Sequence, residues 1–97
     1  MRLFQAKDKS GRQIYLTDER WTHIVREHPE VSPYLHKFAE SLLHPMRITD
    51  YEDDRKIKYY YTYDKQRTLP AKYLLIIVKY LNGEGFIITA YFMRHLQ

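Results

Sequence analysis

The stretch Tyr73–Tyr80, reading Tyr-Leu-Leu-Ile-Ile-Val-Lys-Tyr, limits the folds open to this chain more than any other segment. Its unbroken apolar run, Leu74–Val78, is typical of a strand covered on both faces. Asn82-Gly83-Glu84-Gly85 then supplies a turn. Beyond it, Phe86–Phe92 reads as the partner strand, with Phe86, Ile88, Ala90 and Phe92 alternating against Ile87, Thr89 and Tyr91. Such a hairpin needs other elements to cover it, and the earlier residues offer them.

Two helices are expected there. Thr17 is a good N-cap, and Asp18 and Glu19 suit the positive end of a helix dipole. Trp21, Ile24, Val25 and His28 fall on one face, with Arg20, His23 and Glu27 along its edge. Pro29 forces His28 toward an extended conformation and ends the helix. Ser32-Pro33 starts a second helix, whose apolar stripe is Leu35, Phe38, Ala39 and Leu42. His44-Pro45 ends it. From Met46 the apolar period changes from 3.6 to about 2. Arg47–Glu52 and Lys56–Asp64 read as strands, the second carrying Tyr59, Tyr60, Tyr61 and Tyr63. Residues 2–7 and 13–16 read as a small hairpin around Lys9-Ser10-Gly11-Arg12. The expected fold is therefore α+β: two N-terminal helices packed on a four-stranded antiparallel sheet, with a short N-terminal hairpin. All of it forms one domain, residues 1–97.

The absence of cysteine excludes a disulfide and a thiolate zinc site. The opening Met1–Asp8 lacks the apolar run of a secretory leader. The longest apolar run is far short of the roughly 20 residues needed to cross a bilayer. A soluble, cytoplasmic protein with no membrane partner is expected. Sixteen Lys and Arg against twelve Asp and Glu leave a net charge of +4, which favours a polyanionic partner such as RNA, DNA or an acidic protein. Ten tyrosines suit stacking on bases, and equally suit strands.

His23 and His28 are five residues apart, not the four that bring two helical imidazoles onto one metal, and no H-E-x-x-H pattern occurs. No metal or cofactor is expected. His23 is a candidate acid or base, because imidazole exchanges a proton near neutral pH. The plainer reading is a surface histidine. His28, on the apolar stripe before a proline, reads also as a cap of helix carbonyls. Arg55, Arg67, Lys72 and Lys79 flank or lie on the strands. Lys72 and Lys79 point to opposite faces, because their separation is odd. Each reads by default as a solvated charge. Thr89 and Tyr91 share a face of the last strand. On an open face they could bind phosphate or a ribose hydroxyl; on the helix side they are polar core groups needing partners. Together these residue types can cleave RNA without a metal. RNA brings its own nucleophile, so the protein need only move two protons and stabilise charge on the phosphate.

The segment Ile14–Glu30, I-Y-L-T-D-E-R-W-T-H-I-V-R-E-H-P-E, resembles the opening of phage and bacterial nuclease domains of the barnase–EndoU–colicin–RelE superfamily (PBECR type). Lys72-Tyr73-Leu74, the aliphatic strand and Phe86-Ile87-Ile88-Thr89-Ala90-Tyr91 extend the likeness to residues 12–93. Family members often continue past the last strand with a basic, glycine-containing tail, where Arg94-His95-Leu96-Gln97 stand here. The resemblance implies two helices on a four-stranded antiparallel sheet and metal-independent ribonuclease activity. Carried over by position, it marks Arg20, His23, His28, Lys72, Thr89 and Tyr91.

The expected function is that of an endoribonuclease, a toxin of a toxin–antitoxin pair or of a mobile element, with RNA as substrate and an acidic antitoxin as partner. His23, His28, Thr89 and Tyr91 would be catalytic; Arg20, Lys72, Arg67 and Tyr61 would bind phosphate or RNA. The alternatives are a catalytically inactive RNA- or protein-binding module of the same fold, and a structural protein whose histidines merely pack. Oligomeric state is left open.

Overall fold

The N-terminal hairpin does not stand apart from the sheet. The computed structural model, which describes residues 1–96, has strands β1 (Arg2–Lys7) and β2 (Gln13–Thr17), helix α1 (Asp18–Glu27), a 3₁₀ segment (Pro29–Lys37) and helix α2 (Phe38–Leu43). Strands β3 (Arg47–Tyr51), β4 (Asp54–Tyr63), β5 (Tyr73–Leu81) and β6 (Glu84–Met93) follow. All six strands form one sheet in the order β1-β2-β6-β5-β4-β3. The joint is a short parallel pairing of β2 with β6, Ile14 opposite Gly85 and Tyr15 opposite Phe86. The expected four-stranded antiparallel sheet is thus corrected to a six-stranded mixed sheet. The physical reason lies in β2 itself. Ile14, Tyr15 and Leu16 are all buried, so this strand is covered on both faces and needs neighbours on both edges.

Gly85 makes the joint close. A methyl group there would run into Ile14 and lie 2.8 Å from Val78 and 2.9 Å from Tyr80. Gly85→Ala is expected to cost about 1–3 kcal/mol by overpacking, read as a lower midpoint in urea unfolding. A midpoint equal to wild type would show that the strands can move apart at little cost.

Helix α1 starts where expected. The Thr17 hydroxyl accepts from the Arg20 amide at 3.1 Å, and His28 is the C-cap. The second helix is mostly not α-helical. Pro29 and Pro33 lack amide donors, and the chain runs as 3₁₀ until Phe38. Helix α1 lies against β6 and β2, and α2 against β1 and β4. Between them and the sheet sit Ile14, Leu16, Ile24, Val31, Phe38, Leu42, Leu74, Ile76, Val78 and Ala90. Trp21 packs edge-on to Phe38 at 5.8 Å.

A bulge in β6 changes the predicted alternation. Ile77 faces Thr89 but Val78 faces Ile87, so Ile88 is the extra residue. Ile87 joins Ala90 and Phe92 in the helix-side core, and Phe86 moves to the face of Thr89 and Tyr91.

The buried carboxylate of Asp8, 1% exposed, holds the β1–β2 turn. It accepts from the Ser10 and Arg12 amides, both at 2.9 Å, the Ser10 hydroxyl at 2.7 Å and Arg12 Nε at 3.0 Å. The Tyr80 hydroxyl donates to it at 2.7 Å from β5 and lies 2.6 Å from the Tyr60 hydroxyl of β4. One side chain therefore ties a turn at one edge to strands in the middle of the sheet.

Candidate functional site

Strand pairing lays out the face turned away from the core in rows. Arg47, Tyr61, Leu75 and Tyr91 form one row across β3, β4, β5 and β6. Thr49, Tyr59, Ile77 and Thr89 form the next. None of these residues belongs to the helix-side core. Thr89 and Tyr91 are therefore on the face opposite the core, roughly 7 Å apart along the strand.

His28 reaches this face. As the C-cap of α1, which lies along β6, it stacks on Tyr91 with ring centroids 4.9 Å apart and planes 28° from parallel. Its side chain is 31% exposed. Its Nδ1 is 3.9 Å from a Glu30 carboxylate oxygen, leaving Nε2 for another partner. The chain turns sharply at Pro29, and this brings Glu30 back beside the ring. Burial, and then the phenols of Tyr59 and Tyr61, raise the pKa of Tyr91 above the ordinary value. Tyr91 is thus a hydrogen-bond donor at neutral pH.

An aromatic series continues toward β3. Tyr59 and Tyr61 are 6.4 Å apart, and Tyr51 stacks on Tyr59 at 5.9 Å with planes 7° from parallel. Tyr51 is 37% exposed, whereas Tyr61 is 1% exposed. Tyr61 forms the floor of the row and cannot offer its ring to a base; Tyr51 and the half-buried Tyr59 can. Toward β2 the face carries Tyr15 and Phe86, 5.9 Å apart, with the Arg2 guanidinium 3.5 Å above the Tyr15 ring. Here Arg20, Thr17, Phe86 and Ile88 line a hollow of about 220 Å³. Arg20, at this hollow, and Arg47, on the edge strand β3, are both exposed cations.

Three predicted residues lie elsewhere. His23 is exposed and lies roughly 160° around α1 from Trp21, at about 100° per residue. Its side chain makes no hydrogen bond to another described residue. Arg67 is 7% exposed and lies 3.8 Å from the ring of Phe92, a helix-side core residue. It donates to the Ala71 carbonyl and so holds the β4–β5 loop. Lys72 precedes β5, and continuing the strand's alternation puts it on the side of Leu74, with the core. Of the predicted set, His28, Thr89, Tyr91 and the buried Tyr61 share one face, with Arg20 at its edge.

Sequence reasoning passed over Tyr51, Arg47 and Glu30, and named Tyr59 only as part of the tyrosine-rich strand. Tyr59 has the same parity as Tyr61, and Arg47, Thr49 and Tyr51 alternate likewise, so the signal was present. Among the described residues no group of three His, Asp or Glu side chains is placed to hold a metal ion, and no helix is long and apolar enough to cross a membrane. Compared with protein-family models, curated proteins and solved structures, the chain matches none of them significantly.

Proposed function

We propose that this chain is a metal-independent endoribonuclease that takes single-stranded RNA on the face carrying His28, Thr89 and Tyr91. The observation that carries the reading is the His28–Tyr91 stack, an acid–base group held against a protonated phenol on the sheet face opposite the core. The barnase–EndoU–colicin–RelE resemblance supplies the reaction class, and the basic composition suits the substrate.

In this reading His28 Nε2 takes the proton from the ribose 2′-hydroxyl. The 2′-oxygen bonds to phosphorus and the bond from phosphorus to the 5′-oxygen breaks. Tyr91 gives its proton to that leaving oxygen, and protonated His28 restores it. The products are a 2′,3′-cyclic phosphate and a 5′-hydroxyl end. Thr89 donates to a phosphate oxygen, and Arg20 and Arg47 stabilise the added negative charge. Glu30 orients the imidazole, as a third group does in catalytic triads. Tyr51 and Tyr59 stack the bases beside the scissile phosphate. A toxin role would add an acidic antitoxin covering this face.

The test is cleavage of an RNA panel in EDTA. Cleavage lost in His28→Ala supports the reading; no cleavage by wild type across the panel ends it. Tyr51→Ala and Tyr59→Ala are expected to weaken RNA binding by about 1–3 kcal/mol each, measured by fluorescence titration. Unchanged affinity in both would remove the stacking platform.

A binding module that does not cleave is the second reading. One observation favours it: among the described histidines only His28 has a ring stacked on this face, so the second proton must come from a tyrosine.

A further inference from the structure

The turn between β1 and β2 reaches across to β4 and leaves a hollow beside it. Lys9, Ser10 and Arg12 of the turn, Ile48 of β3, and Lys58 and Tyr60 of β4 line this open space of about 320 Å³. Lys58 and Tyr60 are two residues apart on one strand and share a face, and Tyr60 belongs to the helix-side core. The hollow is therefore on the side of the sheet opposite Thr89 and Tyr91.

The side chains that line it have only donors left to offer. The Ser10 hydroxyl donates to Asp8 at 2.7 Å and accepts from Arg12 Nε at 2.9 Å. The Tyr60 hydroxyl is bonded to that of Tyr80 at 2.6 Å. No lining residue is a carboxylate. What remains is the capacity of three cations. Lys9 is exposed and makes no ion pair among the described residues. Arg12 is tied through Nε to Asp8 at 3.0 Å, and its guanidinium lies 3.8 Å over the Tyr80 ring. Both contacts fix its plane and leave its terminal N–H groups for another partner. Lys58 gives one of its three protons to the exposed Asp50 at 2.5 Å.

We propose that this hollow binds the phosphate group of a small organic phosphate monoester. A site that only donates, with cations on two sides, calls for an occupant that only accepts. The terminal oxygens of a monoester dianion do that, and they carry about two negative charges above neutral pH. A carboxylate brings two oxygens in one plane, which the free edge of Arg12 alone can take. Phosphate oxygens diverge, so they can meet Lys9, Arg12 and Lys58 together. Inorganic phosphate at neutral pH keeps a hydroxyl proton, for which the lining side chains offer no free acceptor. Ile48, 37% exposed, adds apolar surface for the carbon atoms of an ester. The volume is at the small end of the range for small-molecule sites. None of this depends on the nuclease reading.

The experiment titrates the intact protein at pH 7.5 with glycerol 3-phosphate, inorganic phosphate, glycerol and a hexaglutamate peptide. It follows the backbone amide signals of Ser10, Arg12, Lys58, Thr89 and Tyr91. Glycerol 3-phosphate is expected to give saturable shifts at the first three, and glycerol none. Inorganic phosphate should bind at least about threefold more weakly, for want of the buried carbons. Lys9→Ala and Lys58→Ala should each weaken glycerol 3-phosphate about fivefold. Asp50→Asn removes the carboxylate that competes for Lys58 and should tighten it about threefold. None of these three side chains is buried, so the variants should melt close to wild type. No saturable shift, equal affinity for inorganic phosphate, or unchanged affinity in all three variants would overturn the proposal. Tighter binding of hexaglutamate would make the hollow a seat for an acidic protein segment and would overturn it too. So would shifts centred on Thr89 and Tyr91, which would put the phosphate on the opposite face.

Discussion

His28→Ala is expected to reduce RNA cleavage by about 10²–10⁴-fold, the usual worth of a positioned acid–base group, while the far-ultraviolet circular dichroism stays that of wild type. The fold should survive because the imidazole is only stacked at the edge of the sheet. The last bond of α1 comes from the His28 backbone, whose amide donates to the Ile24 carbonyl, and alanine keeps that bond. Two companions sharpen the result. Tyr91→Phe preserves the stack and removes only the hydroxyl, so a loss of rate there belongs to proton transfer or phosphate contact. His23→Ala should cleave like wild type, because His23 lies on the exposed side of α1, roughly 160° around it from Trp21. A strong loss in His23→Ala with full activity in His28→Ala would reverse the assignment of the two histidines.

The second large effect is on stability. Asp8→Ala is expected to cost about 3 kcal/mol, because it leaves the Ser10 and Arg12 amides, the Arg12 guanidinium and the Tyr80 hydroxyl without their acceptor. Domains of this size have about 5–15 kcal/mol in total, and each kcal/mol moves the melting temperature by about 4–8 °C. Burial pushes the Asp8 carboxyl upward, but hydrogen bonds from Tyr80 and Ser10, then the Arg12 amide and the Arg12 charge, outweigh it. The net effect is a pKa below the ordinary carboxylate value. A lowered folded pKa means that the carboxylate's contribution is complete above about pH 4, the unfolded value. It is lost as pH falls through the folded value. Urea unfolding from pH 7 to pH 2 should therefore show a decline at the acid end in wild type that is smaller in Asp8→Asn. Identical pH profiles would show that Asp8 does not govern the acid limb.

The parts of this fold that could be read in the sequence are those fixed by local chemistry. Thr17 caps α1 because its hydroxyl takes an amide three residues on. Pro29 ends α1 because it excludes the helical conformation at His28. Asn82 and Gly83 both have positive φ, 55° and 82°, which explains the tight β5–β6 turn. The parallel pairing of Ile14 with Gly85 has no local signature, since its partners are remote in sequence; its one trace was the unbroken Ile-Tyr-Leu run. The Ile88 bulge was equally hidden, because one extra residue reverses parity without changing composition. For the site, alternation correctly put Thr89 and Tyr91 together but did not say on which face. Both His23 and His28 were candidates in the sequence, and of the two only His28 stacks on Tyr91 among the described residues. His28 lies on the stripe with Trp21 and Ile24, so it faces the protein, and only a ring that faces the protein can stack on Tyr91. Tyr61 has the right parity, but its burial depends on neighbours from three other strands.

The account stands on RNA occupying the face of the sheet opposite the core, at the end of α1. The most direct measurement is an NMR titration with an uncleavable 2′-deoxy oligonucleotide, recording the histidine ring signals and the amides of Thr89 and Tyr91. The account predicts saturable shifts at the His28 ring, Thr89 and Tyr91, with the His23 ring unmoved. Shifts centred on the His23 ring, with Thr89 and Tyr91 silent, would contradict it.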